Sequence, residues 1–228
     1  MAKSISIMGD SISTYEGYNP LGFRVYYYDE RCELNGLASV SDTWWMQVVG
    51  ALSGELCVNG SYSGSWVTGP IFPAATSEKR IANLRTAERE PDAILIYLGI
   101  NDYLNNVEVG DDAATGTQCE SSRYFAEAYD CLLRKLKAAY SRTDIICGTL
   151  MRTEMRGYEY WVFPERNANA SLDEYNDAIR RAAARNGCLL ADLNGLGLRY
   201  ETLDGTHPTA QGHATIAQAW VECCKELL

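Results

Sequence analysis

The sequence predicts an α/β fold in which one mostly parallel sheet carries helices on both faces. Strand-like and helix-like runs alternate five times along the 228 residues, which is typical of such sheets. Two of the strand-like runs, "AILIYLG" and "DIICGTL", are almost continuously apolar, as strands buried on both faces should be. No repeat, low-complexity tract or linker interrupts the pattern, so a single domain over residues 1–228 is expected.

The predicted elements follow one another along the whole chain. The strands are short apolar runs at 4–8, 55–58, 93–98, 144–150 and 188–192. The helices lie between and after them, at 43–52, 78–88, 122–140, 172–186 and 210–227. The run 122–140 repeats apolar residues at helical spacing. Asn186 and Gly187 provide a C-terminal stop for the fourth helix, and Pro208 fits the start of the last one.

The composition excludes some classes of partner. Hydrophobic residues make up 46% and charged residues 22% of the chain, an ordinary balance for a globular domain. The net charge of −10 argues against nucleic acid and anionic membranes, because both favour clusters of Lys and Arg. The first residues lack the apolar core of a signal peptide, and no run is long enough to span a bilayer. We therefore expect a cytoplasmic protein with no membrane partner.

The eight cysteines show no pattern of a metal or redox site. There is no CxxC pair and no Cys/His spacing of the zinc type. Cys57, Cys147 and Cys188 lie in apolar strand-like runs, where cysteine behaves as a small hydrophobic residue. We expect reduced thiols and no metal or cofactor.

Two longer irregular stretches, 15–35 and 105–120, follow strand ends and are therefore placed to overhang a site. The first is rich in aromatic residues and suits a lid or a homo-oligomer contact between copies of the chain. Its cluster Tyr26-Tyr27-Tyr28 suits either sugar stacking or a subunit interface. The second stretch is acidic and composed of small residues.

Small polar residues collect directly after the first three predicted strands and, with a spacer, after the fifth. They form the segments Gly9-Asp10-Ser11, Asn59 to Trp66, Gly99 to Asp102 and Asp204 to Pro208. In open parallel sheets, ligands bind at the carboxyl ends of the strands. These segments are therefore expected to meet at one edge of the sheet and to form the site.

The chain has only two histidines, which limits the choice of a catalytic base. Asp204 lies three residues before His207, so its carboxylate can accept a hydrogen bond from Nδ1 of that ring and leave Nε2 free. A serine at the same edge would then have a base. His213 has no acidic neighbour and is expected to be a helix-surface or capping histidine.

The segments "GDS", "NGSYSG", "GIND" and "DGTHP", in this order, resemble the four blocks of the SGNH (GDSL-type) hydrolase superfamily. The resemblance covers the chain from Gly9 to the last helix. It implies a flavodoxin-like three-layer α/β/α sandwich with a five-stranded parallel sheet. Two departures are modest: Ile12 replaces the Leu of the family name, and Ser65 stands where many members carry Asp.

The resemblance also implies a role for each matched residue. Ser11 is the expected nucleophile, His207 the general base and later general acid, and Asp204 the residue that orients His207. The expected oxyanion hole consists of the backbone N–H groups of Ser11 and Gly64 and the side-chain amide of Asn101. The choice of Gly64 over Gly60 rests on the block pattern of the family, since spacing alone leaves both open.

Three further residues are candidates for contact with the substrate: Trp66, Asp10 and Asp102. Each also has a purely structural interpretation. The two aspartates suit helix caps or loop braces, and the tryptophan suits ordinary packing.

The resemblance implies hydrolysis of short-chain carboxylic esters, a small-molecule substrate class, and we favour a carbohydrate O-acetylesterase. Lysophospholipase and thioesterase activities are alternatives within the family. A metal-dependent phosphoesterase would instead use Asp10, Asp102, Asp204 and His207 as ligands. A non-catalytic sugar-binding module is the third class. The chain lacks GxGxxG, GxxxxGK and GxSxG, which gives no support to nucleotide binding or to an α/β-hydrolase elbow.

Overall fold

A computed structural model describes residues 2–69, 71–110, 123–225 and 227. The described residues form seven strands: β1 (Ser4–Gly9), β2 (Glu55–Asn59), β3 (Ala93–Tyr97), β4 (Asp144–Gly148), β5 (Arg152–Met155), β6 (Leu189–Ala191) and β7 (Arg199–Thr202). The α-helices within the same ranges are α1 (Asp29–Asn35), α2 (Trp44–Ala51), α3 (Glu78–Ala82), α4 (Ile100–Leu104), α5 (Phe125–Ala139), α6 (Leu172–Arg185) and α7 (Ala210–Cys224).

The main sheet confirms the predicted fold class. Five parallel strands lie in the order β2-β1-β3-β4-β6. The chain moves from β1 outward to β2 on one side and then to β3 on the other, which is the flavodoxin-like order. The strand order therefore reverses between β1 and β3, and that crevice at the carboxyl edge is where such folds bind ligands. Ser11 follows β1 at this point.

Helices cover both faces of this sheet. Because parallel crossovers are right-handed, the β1-to-β2 and β2-to-β3 connections, which cross the sheet in opposite directions, place α2 and α3 on opposite faces. α2 packs against α7, and α5 packs against α6. Trp44 of α2 stacks on Trp220 of α7, with ring centroids 5.4 Å apart. The result is the predicted three-layer sandwich.

The core lies between these layers. Both strands next to the switch point are buried along their whole length. Ile5, Ile7, Ile94 and Ile96 are fully inaccessible to solvent. Each such side chain stabilises the fold by about 1.5–3 kcal/mol on leaving water.

A second, two-stranded parallel sheet pairs β5 with β7, and the sequence did not predict it. Its residues Arg152, Glu154, Arg199 and Glu201 are charged, so neither strand has an apolar run that periodicity would detect. This sheet lies next to the loop 203–208, because β7 ends at Thr202. The loop carries Asp204 and the predicted base His207 and is called the base loop.

Other elements differ from the prediction at their ends or in their existence. The helix predicted over 78–88 is only α3, which ends at Ala82. α1 forms inside the aromatic stretch and ends where Gly36 adopts a φ of +74°, a left-handed cap. Within the stretch 105–120, residues 111–120 lie outside the described residues.

One cysteine contradicts the prediction of reduced thiols. Cys131 of α5 is disulfide-bonded. The free thiols among the described residues are Cys32, Cys57, Cys147, Cys188, Cys223 and Cys224. Spacing gave no signal for this bond because connectivity does not follow from sequence alone. Among the described residues, we find no helix that combines the length and the hydropathy of a membrane span.

Candidate active site

Ser11 is presented by a tight turn at the end of β1. A short 3-10 turn spans Ser11–Ser13, and the Asp10 carboxylate caps it by accepting a hydrogen bond from the Ile12 N–H at 3.0 Å. Gly9 is required here because a Cβ at this position would lie 2.3 Å from Oγ of Ser13. The turn therefore packs directly onto the strand end and fixes the serine at the sheet edge.

Ser11, His207 and Asp204 form a continuous hydrogen-bonded chain. Oγ of Ser11 lies 2.9 Å from Nε2 of His207. Nδ1 of His207 lies 2.8 Å from Oδ2 of Asp204. The other carboxylate oxygen, Oδ1, accepts hydrogen bonds from the backbone N–H groups of His207 at 2.8 Å and Thr206 at 3.0 Å. Both oxygens of Asp204 are therefore held by the loop that carries the histidine.

The electrostatics of Asp204 keep it ionised. Partial burial raises the pKa of its carboxyl group, but the hydrogen bonds from the ring and backbone of His207 and the backbone of Thr206 lower it further. The net pKa of Asp204 lies well below its usual range. The side chain is 44% exposed, so solvent screens part of this effect. A negative charge beside Nδ1 suits a ring that must accept a proton at Nε2.

The predicted oxyanion-hole residues lie on two neighbouring segments. Asn101 is in the first turn of α4, two residues after Gly99, and one N–H of its amide donates to the carbonyl oxygen of Ser65 at 3.0 Å. Gly64 is exposed and has a φ of +76°, the region that favours glycine. A Cβ at Gly64 would meet nothing within 4 Å, so its backbone conformation rather than close packing requires the glycine. At Gly60 a Cβ would lie 2.7 Å from Leu84, on the buried side of the segment.

Asp102 holds these two segments together. Its carboxylate accepts hydrogen bonds from the backbone N–H of Val67 at 2.8 Å and of Thr68 at 3.0 Å, and from the Thr68 hydroxyl at 2.7 Å. Burial raises the pKa of Asp102 against the effect of these bonds. Because the carboxylate is buried and engaged by the loop, these contacts fit the alternative interpretation of Asp102 as a loop brace.

Asp10 is likewise turned inward. Its side chain is buried, Oδ1 caps the Ser11 turn, and Oδ2 has no hydrogen-bond partner within the described residues. Burial raises the pKa of Asp10 to about 7, although the Ile12 N–H and the charge of Arg80 oppose the shift. Asp10 therefore fits its alternative interpretation as a cap, because the carboxylate lies beneath the turn that carries Ser11.

Arg80 supports the same turn from α3, and sequence reasoning missed it. Its guanidinium is fully buried and donates to the carbonyl oxygens of Gly9 at 2.9 Å and Pro73 at 2.8 Å. Burial lowers its pKa to about 10, which still leaves it charged at neutral pH. An arginine in a short helix normally indicates a solvated face, so the sequence carried no signal for this role.

Trp66 is the one predicted substrate residue that remains accessible. It follows the Gly64 turn, and 38% of the residue is exposed. Its carbonyl oxygen accepts a hydrogen bond from the Ala75 N–H at 2.9 Å, which fixes the backbone at that point.

Tyr26 contacts both His207 and Asp204. Its ring stacks on the imidazole of His207, with centroids 3.5 Å apart and planes inclined by 6°. Its hydroxyl donates to Oδ2 of Asp204 at 3.3 Å. The tyrosine cluster was a visible signal, but the sequence did not reveal that it meets the base loop.

His213 is in the core and not on a helix surface. Its Nδ1 accepts a hydrogen bond from the Trp44 N–H at 3.2 Å, so it caps the start of α2 from α7. Burial, with a smaller effect of His207, lowers the pKa of His213 to about 3. The capping alternative of the prediction therefore fits, and the surface alternative does not.

The described residues do not form the metal site that a metal-dependent phosphoesterase would need. Among the described residues, no group of three or more His, Cys, Asp or Glu is placed to hold a metal ion. The buried carboxylate of Asp102 is engaged by backbone and hydroxyl donors, and one oxygen of Asp10 caps a turn. These carboxylates do not point toward a common position with His207.

Solved structures share the fold over almost the whole chain. A protein from Bacteroides uniformis assigned as a GDSL-like lipase is 26% identical, with a TM-score of 0.76 over 99% of this chain and 96% of that one. A counterpart from Bacteroides ovatus is 23% identical, with a TM-score of 0.73 over 99% of both chains. An active-site mutant of a family two carbohydrate esterase from Clostridium thermocellum is 15% identical, with a TM-score of 0.58 over 98% of this chain and 63% of that chain.

The sequence also matches the model of a known protein family over more than half of its length. A search of the curated proteins finds no match. The model of the GDSL-like lipase/acylhydrolase family matches residues 3–160, which include Ser11, Gly64 and Asn101. The match ends before Asp204 and His207, which the structure brings to the same edge of the sheet. The chain belongs to the GDSL-like lipase/acylhydrolase family and is a hydrolase that acts on ester bonds.

Proposed function

We propose that the protein is a serine esterase that cleaves short-chain carboxylic esters with a Ser11-His207-Asp204 triad. The observation that carries the proposal is the hydrogen-bonded chain from Oγ of Ser11 through His207 to Asp204, with distances of 2.9 and 2.8 Å. This is the geometry by which an imidazole activates a serine and a carboxylate orients the imidazole.

In the proposed mechanism, Nε2 of His207 takes the proton of the Ser11 hydroxyl while Oγ attacks the ester carbonyl carbon. The tetrahedral intermediate collapses when the imidazolium protonates the departing alcohol, which leaves an acyl-serine. A water molecule then loses a proton to His207 and attacks the acyl carbon, and the imidazolium returns that proton to Oγ of Ser11 as the carboxylic acid departs. Asp204 remains ionised throughout and stabilises the imidazolium.

The oxyanion of each intermediate would be held by the N–H groups of Ser11 and Gly64 and the amide of Asn101. Two features support this assignment. Gly64 is exposed at the site whereas Gly60 faces Leu84. An amide carries two N–H donors, and Asn101 uses one of them on Ser65, so the second is available and its direction is fixed.

We place the alcohol part of the substrate among acetylated carbohydrates. The exposed indole of Trp66 next to Gly64 offers an aromatic face at the site. The Clostridium thermocellum carbohydrate esterase of the same fold, whose structure holds a cello-oligosaccharide, is consistent with this substrate class.

A hydrolysis panel tests the proposal. Esters of p-nitrophenol with acyl chains of increasing length are compared with acetylated mono- and oligosaccharides, for the wild type and for Ser11→Ala. We expect acetyl esters to be preferred and Ser11→Ala to lower turnover by roughly 10⁵- to 10⁶-fold. Ser41→Ala, an exposed serine distant in sequence, is the matched control.

Labelling identifies the nucleophile independently of the substrate. A fluorophosphonate is expected to modify Ser11, as detected by peptide mass spectrometry. Near-wild-type esterase activity of Ser11→Ala would refute the triad. Preference for long acyl chains or for thioesters would instead overturn the carbohydrate assignment and favour a lysophospholipase or thioesterase.

A further inference from the structure

We propose that Tyr26 is a positioning residue for the triad. Its side chain and its backbone N–H hold Asp204, His207 and Ser11 in their relative positions. The inference rests on the proposed function. It concerns a residue of the aromatic stretch 15–35, which the sequence associated with a lid, a homo-oligomer contact or sugar stacking.

The ring of Tyr26 fixes the plane of the imidazole. The two rings are nearly parallel and 3.5 Å apart, so the His207 ring cannot turn about its Cβ–Cγ bond without clashing with the tyrosine. Such terminal torsions are otherwise broad and weakly restricted. Rotation would break both the contact of Nε2 with Ser11 and that of Nδ1 with Asp204. Stacking therefore preserves the two hydrogen bonds on which proton transfer depends.

The hydroxyl of Tyr26 fixes the carboxylate. It donates to Oδ2 of Asp204, the same oxygen that lies 2.8 Å from Nδ1 of His207. Partial burial and the charge of Asp204 raise the pKa of Tyr26 to about 12, so the hydroxyl remains a donor throughout the working range of an esterase. With Oδ1 bound to two backbone N–H groups, neither carboxylate oxygen is free to turn.

The backbone of Tyr26 reaches the third member of the triad. Its N–H donates to Oγ1 of Thr14 at 2.9 Å, and the Thr14 hydroxyl donates to the carbonyl oxygen of Ser11 at 3.1 Å. The next residue, Tyr27, is buried and donates from its hydroxyl to the carbonyl oxygen of Pro208 at 2.7 Å. The pair thus ties the nucleophile turn at one end of the chain to the base loop at the other.

The same contacts exclude a sugar from the faces of the Tyr26 ring. One face covers His207, and the guanidinium of Arg31 lies over the ring, 5.1 Å from its centroid. The stretch is also bound on the other side of the site, where Asn19 donates to the carbonyl oxygens of Asn59 and Ser61. These contacts fit a fixed clamp across the triad better than a mobile lid.

The experiment compares Tyr26→Leu and Tyr26→Phe with wild type, and uses Tyr18→Leu as the matched control. Tyr18 lies in the same stretch and contacts Tyr15 and Trp45. The readouts are kcat and KM on p-nitrophenyl acetate, the rate at which a fluorophosphonate labels Ser11, and the melting temperature. The labelling rate reports how well His207 activates Ser11. It does not depend on how the protein binds the alcohol part of a substrate.

We expect Tyr26→Leu to lower kcat and the labelling rate by about 10- to 100-fold, because it loses both the stack and the hydroxyl. Tyr26→Phe keeps the stack and should lose about 3- to 10-fold. KM should stay within about twofold of wild type in both variants, and Tyr18→Leu should keep wild-type kcat.

A wild-type kcat in Tyr26→Leu, or a loss confined to KM, would overturn the inference. If Tyr26→Leu does not fold, Tyr26→Phe decides in its place, and a wild-type kcat would then overturn it. A wild-type enzyme that is neither active on esters nor labelled at Ser11 would instead refute the proposed function, so the two failures are distinguishable.

Discussion

Oγ of Ser11 lies 2.9 Å from Nε2 of His207, although 196 positions separate the two residues along the chain. Ser11 follows β1 of the five-stranded sheet, whereas His207 follows β7 of the two-stranded sheet. The proposed catalytic pair is therefore assembled from two segments, each of which is held in place by a different sheet.

Replacement of Asp204 by Asn should lower kcat by about 10⁴-fold, because the amide cannot stabilise an imidazolium and favours the wrong tautomer of His207. The loss should fall on kcat, with KM little changed. Steady-state kinetics on an acetyl ester measure it. Asp29→Asn, an exposed acid at the start of α1, is the control and should retain wild-type kcat. Equal activity of both variants would contradict the role of Asp204.

Removal of the Asn101 amide should lower kcat by roughly 10²- to 10³-fold, the usual cost of one oxyanion-hole donor. Asn101→Asp is the sharper variant, because it keeps the size of the side chain and replaces the donor group by an acceptor. Asn105→Ala, on an exposed position one turn later, tests for general damage to α4. If Asn101→Asp and Asn105→Ala lose activity to the same small extent, the amide has no special role.

The buried carboxyl of Asp10 should make stability fall as pH rises. Its folded pKa of about 7 lies above the usual value of 3.8, so the folded state binds more protons than the unfolded state between these pH values. This group therefore costs at most about 1.4 kcal/mol per pH unit on going from pH 4 to 7. Asp10→Asn retains an oxygen for the Ile12 N–H and should remove this slope.

Urea denaturation of wild type and Asp10→Asn at pH 5 and pH 8 measures the effect. The difference in free energy of unfolding between the two proteins should shift in favour of the variant at pH 8. Because both proteins share all other titrating groups, a difference that is the same at both pH values would contradict the raised pKa.

The buried imidazole of His213 should have the opposite effect. Its folded pKa of about 3 lies below the usual 6.5, so the unfolded state binds more protons between these values and stability falls as pH falls. His213→Asn retains an acceptor for the Trp44 N–H and removes the titrating ring. The variant should be less stable than wild type at pH 7.5 and should close part of that gap at pH 5. A gap that widens on acidification would contradict a neutral buried histidine.

The predictable parts of the fold are those that depend on apolar runs and on chain order. The buried strand at 93–97 is apolar at almost every position, so its place in a parallel sheet was evident. Ser11, Asp204 and His207 were predicted from motif order and from the scarcity of histidine, and the structure brings them within hydrogen-bonding distance.

The remaining features depend on contacts between distant parts of the chain, which no local sequence pattern indicates. From the sequence, Arg80 is expected to lie on the solvated face of a helix. Only the folded structure shows that its guanidinium donates a hydrogen bond to the carbonyl oxygen of Gly9. β5 and β7 carry charged side chains and pair across 47 residues of sequence, from Arg152 to Arg199, which no periodicity encodes. Asp10 and Asp102 were candidates for substrate contact because they flank motif residues, but both carboxylates are buried and accept hydrogen bonds from nearby backbone N–H groups.

The two-stranded sheet also offers a place to design variants that change the turnover rate without aiming at substrate selectivity. Thr153 of β5 donates from its hydroxyl to the carbonyl oxygen of Gly205, and the N–H of Arg156, just after β5, donates to the carbonyl oxygen of Thr202, so this segment braces the loop that carries the proposed base. Libraries built on β5 are therefore expected to vary turnover, whereas libraries around the exposed Trp66 are expected to vary substrate preference.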